Sequence, residues 1–206
     1  IFGSGVLTSV MPSATRGNFT SKSPESYAIL DSNGGDYFPA FLKRHGYDHL
    51  VLFGKAAQWM LLRIAEDEVT FEDATPYAGL NNLDTAAAVE RDFNCKERKD
   101  MALARITSSG ENGVLCAGIM GGIKAIWARG GGGAKMGAHN LKAIMIHGRP
   151  PEIALPVDAK TQNKAIGKKI TGTSVIKNAL KMVGTPFLYK PSRVLGAMGT
   201  KNNQET

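Results

Sequence analysis

Cysteine is scarce in this 206-residue chain, where Cys95 and Cys116 stand alone. Their spacing gives neither a disulfide framework nor a Cys-x-x-Cys ligand pair, so an iron–sulfur cluster cannot be built from these residues. Two ordinary small residues in a reducing compartment is the reading that remains. Long apolar runs are lacking too, and no stretch approaches the ~20 residues that cross a bilayer. No charged segment followed by an apolar stretch marks a signal peptide, so the cytoplasm is the expected location. A start methionine is also missing. The chain opens Ile1-Phe2-Gly3 in an apparent strand and closes at Thr206 in a polar loop, which suggests a piece of a longer polypeptide. Partnered histidines are the last absence. None of His45, His49, His139 and His147 has a Ser, Cys or carboxylate at catalytic spacing, and no catalytic residue is assigned.

What is present is a core-forming composition, 43% hydrophobic, and a net charge of +7 with a pI near 9.4. The basic residues are dispersed, without aromatic and Lys/Arg interleaving or a helix-turn-helix pattern, so nucleic acid is not the expected partner. Lys164, Lys168, Lys169, Lys177 and Lys181 concentrate the excess late in the chain. They form a solvated helix face, or a field that attracts an acidic electron carrier or anionic substrate.

Alternation and β-branched enrichment place short strands at residues 6–10, 18–21, 49–53, 59–64 and 69–71, with Glu66-Asp67-Glu68 as a hairpin turn. Phe38, Phe41, Leu42 and His45 fall at helical spacing over residues 36–45, ending at Gly46 in the C′ position. A second helix is expected over 83–93, capped by Asn82 or Asp84. Strands follow at 101–106 and 141–146. Pro150-Pro151 then breaks the chain, and residues 158–182 read as a helical stretch interrupted by Gly167 and Gly172. Strands and helices mix without strict alternation, which argues for an α+β fold. The expected division is residues 1–150 as one domain and 151–206 as a helical segment.

The densest signal runs from Arg129 to Ile144. Gly130, Gly131, Gly132 and Gly133 remove every Cβ from a turn, so backbone N–H groups can approach a ligand and φ can be positive. Arg129 adds a planar donor fork suited to phosphate, and Lys135 and Lys142 add charge nearby. Such a segment is a phosphate cradle or a plain glycine loop, since neither Gly-x-Gly-x-x-Gly nor a Walker ending is present.

The same segment resembles the signature Arg-Gly-Gly-x-Gly-Ala-x-Met-Gly-x-x-Asn-Leu-Lys-Ala-Ile of the tungsten-pterin aldehyde ferredoxin oxidoreductases, matching every fixed position. Arg16 with Thr20-Ser21-Lys22-Ser23-Pro24, Asn33-Gly34-Gly35, Gly54-Lys55 and Gly110-Glu111-Asn112 continue the likeness in order, over about residues 1–148. The resemblance implies an N-terminal pterin-binding domain whose two β-sheets form a saddle, with flanking helices and a helical exit toward further domains. It implies a bis-pterin cofactor carrying tungsten or molybdenum, Mg²⁺ bridging the pterin phosphates, and a 4Fe–4S cluster ligated outside this segment. It also implies oxidation of aldehydes to carboxylic acids, electron transfer to ferredoxin or an iron–sulfur subunit, and assembly as an oligomer.

Position by position, the resemblance assigns pterin contacts to Arg16, Asn33, Gly34, Gly35, Lys124, Ala128, Arg129 and Gly130 to Gly133. Asn33 offers an amide oxygen to Mg²⁺, which takes few protein oxygens beside phosphates and waters. The chain departs from the pattern at Ala125, where the family has arginine and where Lys124 supplies a point charge instead. Trp127, expected in the core, Lys135 and residues 199–203 also differ. These departures suit a branch resembling the tungsten subunit of class II benzoyl-CoA reductase, which reduces the ring of an aromatic acyl-CoA. A non-catalytic scaffold or electron-transfer subunit that kept the saddle is the reading from another class.

Overall fold

The computed structural model describes residues 1–66, 68–199, 201 and 205. It divides into two compact units, Ile1–Ala154 and Leu155–Thr206. In the first unit the chain runs β1 (Phe2–Ser4), β2 (Gly17–Lys22), β3 (Ile29–Gly34), α1 (Phe38–Arg44), β4 (His49–Leu50), β5 (Met60–Ala65) and β6 (Glu68–Asp73). After these come α2 (Asn82–Asp92), β7 (Met101–Arg105), α3 (Ser108–Glu111), β8 (Ile119–Met120), β9 (Ile126–Trp127), α4 (Gly132–Ala138) and β10 (Leu141–His147). Among the described residues the strands form two sheets, ordered β3-β2-β1-β4 and β6-β5-β10-β7-β8-β9. The fold is α+β, as the sequence pattern argues.

Strand β10 sits inside the larger sheet, parallel to β5 and antiparallel to β7. Its residues Leu141 to Ile146 are buried on both faces, which is why Leu-Lys-Ala-Ile-Met-Ile reads as a continuous run rather than an alternation. Ile144 and Ile146 pack with Phe2, Phe19 and Phe38 toward the smaller sheet, while Ala143 and Met145 meet Tyr77 and Val89 beneath α2. Burying one such side chain stabilises by roughly 1.5–3 kcal/mol, so two cores sharing one sheet fix its register. The smaller sheet alternates instead. Phe19, Leu30, Ser32 and Gly34 face inward, and Asp31 and Asn33 are exposed on the opposite face.

Helix α1 keeps the expected apolar stripe, and Gly46 ends it at φ +90°. Helix α2 begins one residue earlier than the sequence suggests. Asn81, not Asn82 or Asp84, is its cap, accepting from the N–H groups of Leu83 (2.9 Å) and Asp84 (3.0 Å), while the Asn82 side chain is taken up by Arg105. Two strand expectations fail for lack of a partner. Residues 6–10 form turns closed by Thr8 N–H to Gly5 O and Val10 N–H to Leu7 O, and pairing of the first strand ends at Ser4. Residues 49–53 pair only at His49 and Leu50, and Phe53 is 93% exposed. Strands β5 and β6 pair antiparallel around the expected hairpin turn, whose Asp67 lies outside the described residues.

The second unit holds α5 (Val157–Gly172), a π-helical turn (Ile176–Leu180), α6 (Lys181–Val183) and α7 (Tyr189–Val194). The expected helix over 158–182 is interrupted at Thr173, which is extended at ψ 139°. Of the divergent residues 199–203, only Gly199 and Lys201 are described. Among the described residues no helix is long and apolar enough to cross a membrane.

A candidate anion-binding corner

The register of β2 against β3 pairs Gly17 with Gly34 and Asn18 with Asn33. Arg16 directly precedes that pairing and Gly35 directly follows it, so Arg16, Asn33, Gly34 and Gly35 meet at one end of the ladder. Trp127 draws a distant segment to the same end. It is 1% exposed, donates from Nε1 to Gly17 O at 3.1 Å, and meets Phe2 and Phe38 edge-on at centroid distances of 5.6 and 5.8 Å. A Cβ on Gly34 would lie 2.6 Å from the indole ring, so that glycine is there for the tryptophan. The core role expected for Trp127 is what the structure shows.

Beyond Trp127 the chain is stitched along β3. The Arg129 N–H donates to Ser32 Oγ at 3.1 Å, and Ser23 Oγ donates to Gly130 O at 2.9 Å. Ala128 and Arg129 are thereby held beside Asn33. Lys124 sits on a turn closed by Gly121 N–H to Ala125 O at 2.9 Å, whose Gly122 abuts the Asp36 carboxylate. Arg16, Asn33, Lys124, Ala128 and Arg129 are all exposed. Among the described residues Arg16, Lys124 and Arg129 have no acidic partner within ion-pair distance. Three unpaired cations at one rim, two of them guanidinium forks, suit a ligand with dense negative charge.

The exposed face of the smaller sheet adds groups that the sequence reading did not single out. Asn18 Nδ2 donates to Asp31 Oδ1 at 2.7 Å and to Thr20 Oγ1 at 2.8 Å, and Asn33 Nδ2 points to Asp31 Oδ2 at 3.4 Å. The Asn33 amide oxygen accepts no protein hydrogen bond among the described residues. Asn33, Asn18, Gly3 and His49 form one row across all four strands. Period-two alternation in residues 17–22 is the signal that could have found Asn18 and Thr20.

The glycine run works differently from the expected open cradle. A Cβ would fall 2.6 Å from Leu30 at Gly130, 1.9 Å from Leu115 O at Gly131, 3.0 Å from the Phe19 ring at Gly132 and 2.3 Å from Gly118 O at Gly133. The Gly133 N–H donates to Ala117 O at 2.7 Å. The missing side chains therefore make room for protein. Gly130 and Gly131 are at φ +70° and +80°, and Gly132-Gly133 opens α4, although glycine is a poor helix former. At Gly35, by contrast, a Cβ would meet nothing within 4 Å.

Of the two lysines expected near the run, Lys135 is on α4 with its N–H donating to Gly131 O at 3.1 Å, and Lys142 is turned into the core. Lys142 is wholly buried, its Nζ donating to Leu80 O at 3.1 Å and to Glu111 Oε1. Lys135 borders a separate cavity on the other side of α4. A second buried pair joins Arg105 to both carboxylate oxygens of Glu97 at 2.7 and 3.3 Å, with Nε held by Asn82. Near them, Asp36 at φ +63° leaves Oδ2 buried without a hydrogen-bond partner. His147 ends β10 as expected. Burial first, and then Arg63, whose Nε donates to it at 3.1 Å, push its pKa below the usual histidine value.

Among the described residues no cluster of three His, Cys, Asp or Glu could hold a metal. The chemistry of the corner is that of exposed guanidinium forks and an amide oxygen.

Comparison with known proteins gives a consistent result. The family model described as the aldehyde ferredoxin oxidoreductase N-terminal domain matches residues 1–148. A tungsten-containing aldehyde ferredoxin oxidoreductase of Pyrococcus furiosus is 32% identical over 99% of this chain and 34% of its own length. The WOR-like subunit of an aliphatic sulfonate oxidoreductase from the same organism is 34% identical over 71% of this chain and 25% of its own length. Among solved structures, the BamBC active-site complex of benzoyl-coenzyme A reductase with 1,5-dienoyl-CoA aligns with a TM-score of 0.74 at 26% identity. That alignment covers 88% of this chain and 26% of that one. The chain thus spans about a third of the length of the first of these relatives.

Proposed function

This chain belongs to the aldehyde ferredoxin oxidoreductase N-terminal domain family, and from that premise we propose that its first 150 residues bind a tungsten or molybdenum bis-pterin. The observation that carries the reading is that Arg16, Asn33 and Arg129, far apart in sequence, come to one end of the smaller sheet, with neither arginine in an ion pair among the described residues. The residues present fit the group, because pterin phosphates need charged forks and the heterocycle needs a polar floor.

Arg16 and Arg129 grip phosphate oxygens, with Lys124 adding a point charge at the rim. Asn33 would offer its free amide oxygen to a Mg²⁺ accompanying the phosphates. Gly35 leaves open space for the ligand, and Ala128 places a small side chain beside it. Gly130 to Gly133 act through packing, setting the path of the Arg129 backbone. Asn18 and Asp31 present amide and carboxylate groups to the edges of a planar heterocycle. When bound, the pterin-held metal supplies the redox step, and this chain orients it and tunes its surroundings.

The reaction supported best is oxidation of an aldehyde to a carboxylic acid, with electrons leaving through a 4Fe–4S cluster bound elsewhere in the protein to ferredoxin, in the cytoplasm. Ring reduction of an aromatic acyl-CoA is the second reading, favoured by the likeness to the benzoyl-CoA reductase complex. The test is anaerobic isolation of the full-length protein, elemental mass spectrometry and pterin extraction, then assay with aldehydes and with benzoyl-CoA. Tungsten or molybdenum together with pterin and aldehyde turnover supports the first reading. Ring reduction alone selects the second, and absence of both metal and pterin favours a scaffold.

A further inference from the structure

A cavity of the first unit lies away from the corner. It holds about 500 Å³, within the range of small-molecule sites, between the inner edge of the smaller sheet, α4 and residues 52–58. Phe19, Phe53, Met60, Phe71 and Met136 supply apolar walls. Ser21 borders it, four residues along β2 from Gly17, so it lies about 13 Å from the corner at the rise of a strand. Phe53 and Phe71 are 93% and 61% exposed at its edge.

Its charged lining is of one sign. Lys55 and Lys135 border it, and no Asp or Glu does. Neither lysine has a carboxylate within ion-pair distance among the described residues. Lys55 is exposed and Lys135 half-buried; the half-buried Lys43 and the buried Lys142 are by contrast paired, with Asp48 and Glu111. The wall carrying Lys55 is also fixed. Asn140 Nδ2 donates to Ala56 O at 2.7 Å, the Ala56 N–H donates to His139 O at 3.2 Å, and His139 Nδ1 contacts Gly54 O. Residues 54–56 are thus tied to the end of α4, and Lys55 and Lys135 both border the cavity.

We propose that this cavity binds a small amphipathic carboxylate, its apolar body among the Phe and Met side chains and its carboxylate between Lys55 and Lys135. The proposal is independent of the pterin reading, since it uses none of the corner residues.

The experiment uses the full-length protein labelled with ¹³C-methyl methionine, with the Met60 and Met136 signals assigned by Met60→Leu and Met136→Leu. Sodium octanoate is the probe, with 1-octanol as its neutral analogue. Octanoate is expected to shift both methyl signals saturably and to bind more tightly than octanol. The double variant Lys55→Ala/Lys135→Ala is expected to weaken octanoate about tenfold or more, as loss of charge-assisted contacts does, and to leave octanol unchanged. Lys55→Arg/Lys135→Arg should restore octanoate binding. Equal affinity for octanoate and octanol, or unchanged octanoate affinity in the alanine variant, would overturn the carboxylate assignment. Absence of any shift at Met60 and Met136 would mean that another part of the protein fills the cavity, and would overturn the site itself.

Discussion

Cations occupy two contrasting settings in the first unit. Arg105 and Lys142 have side chains that are 0% exposed, each against a nearly buried glutamate, whereas Arg16, Lys124 and Arg129 stand exposed and unpaired at one rim. A buried charge without its partner is strongly destabilising, so the inner pairs must persist in any state of the protein. The rim charges have no such obligation. None of them makes an ion pair that holds the fold among the described residues. The partnered cations tie the segments on either side of β7 to the sheet, through Glu97 before it and Glu111 after it.

The contrast can be broken most sharply from the inside. Glu97→Ala or Glu111→Ala should destabilise the protein by about 3–5 kcal/mol, because each strands a buried cation. Denaturant unfolding of the full-length protein measures this, and a loss under about 1 kcal/mol would mean that the pairs are solvated after all. Gly137→Ala comes next. Its Cβ would fall 2.1 Å from Gly110 O where α4 crosses α3, and overpacking of this kind costs about 1–3 kcal/mol. The rim variants Arg16→Ala and Arg129→Ala should change unfolding free energy by no more than about 0.5 kcal/mol, as surface substitutions do.

The smallest effect concerns His147. Its folded pKa lies below the ordinary value of 6.5, so the neutral form is favoured in the folded state. Its contribution to stability is therefore present above pH 6.5 and lost as the pH falls through the folded value. His147→Gln should flatten the stability profile on the acid side of that pH and leave it unchanged above.

Much of the frame was legible in the sequence. The stripe of Phe38, Phe41 and Leu42 with Gly46 after it, and the run from Leu141 to Ile146, are local patterns that tertiary structure did not override. Residues 6–10 misled because alternation says nothing about whether a partner strand is available. Helix α4 was hidden because its first turn is glycine, chosen for contact with Leu115 O and Gly118 O rather than for helix propensity. Lys142 was misplaced for a similar reason, since its partner Glu111 lies thirty-one positions away. The row of Asn33, Asn18 and His49 needs the register of four strands, which no local spacing encodes. Arg16, Asn33 and Arg129 came from resemblance, and the register of β2 against β3 with the Arg129 to Ser32 hydrogen bond gives their places in the fold.

The central claim is that the unpartnered corner holds the cofactor. The most direct measurement compares full-length wild type with Arg16→Ala/Arg129→Ala, purified anaerobically, for tungsten or molybdenum and released pterin per protein. A folded double variant that has lost both metal and pterin while the wild type retains them is the expected result. Wild-type loading in the double variant would contradict the account.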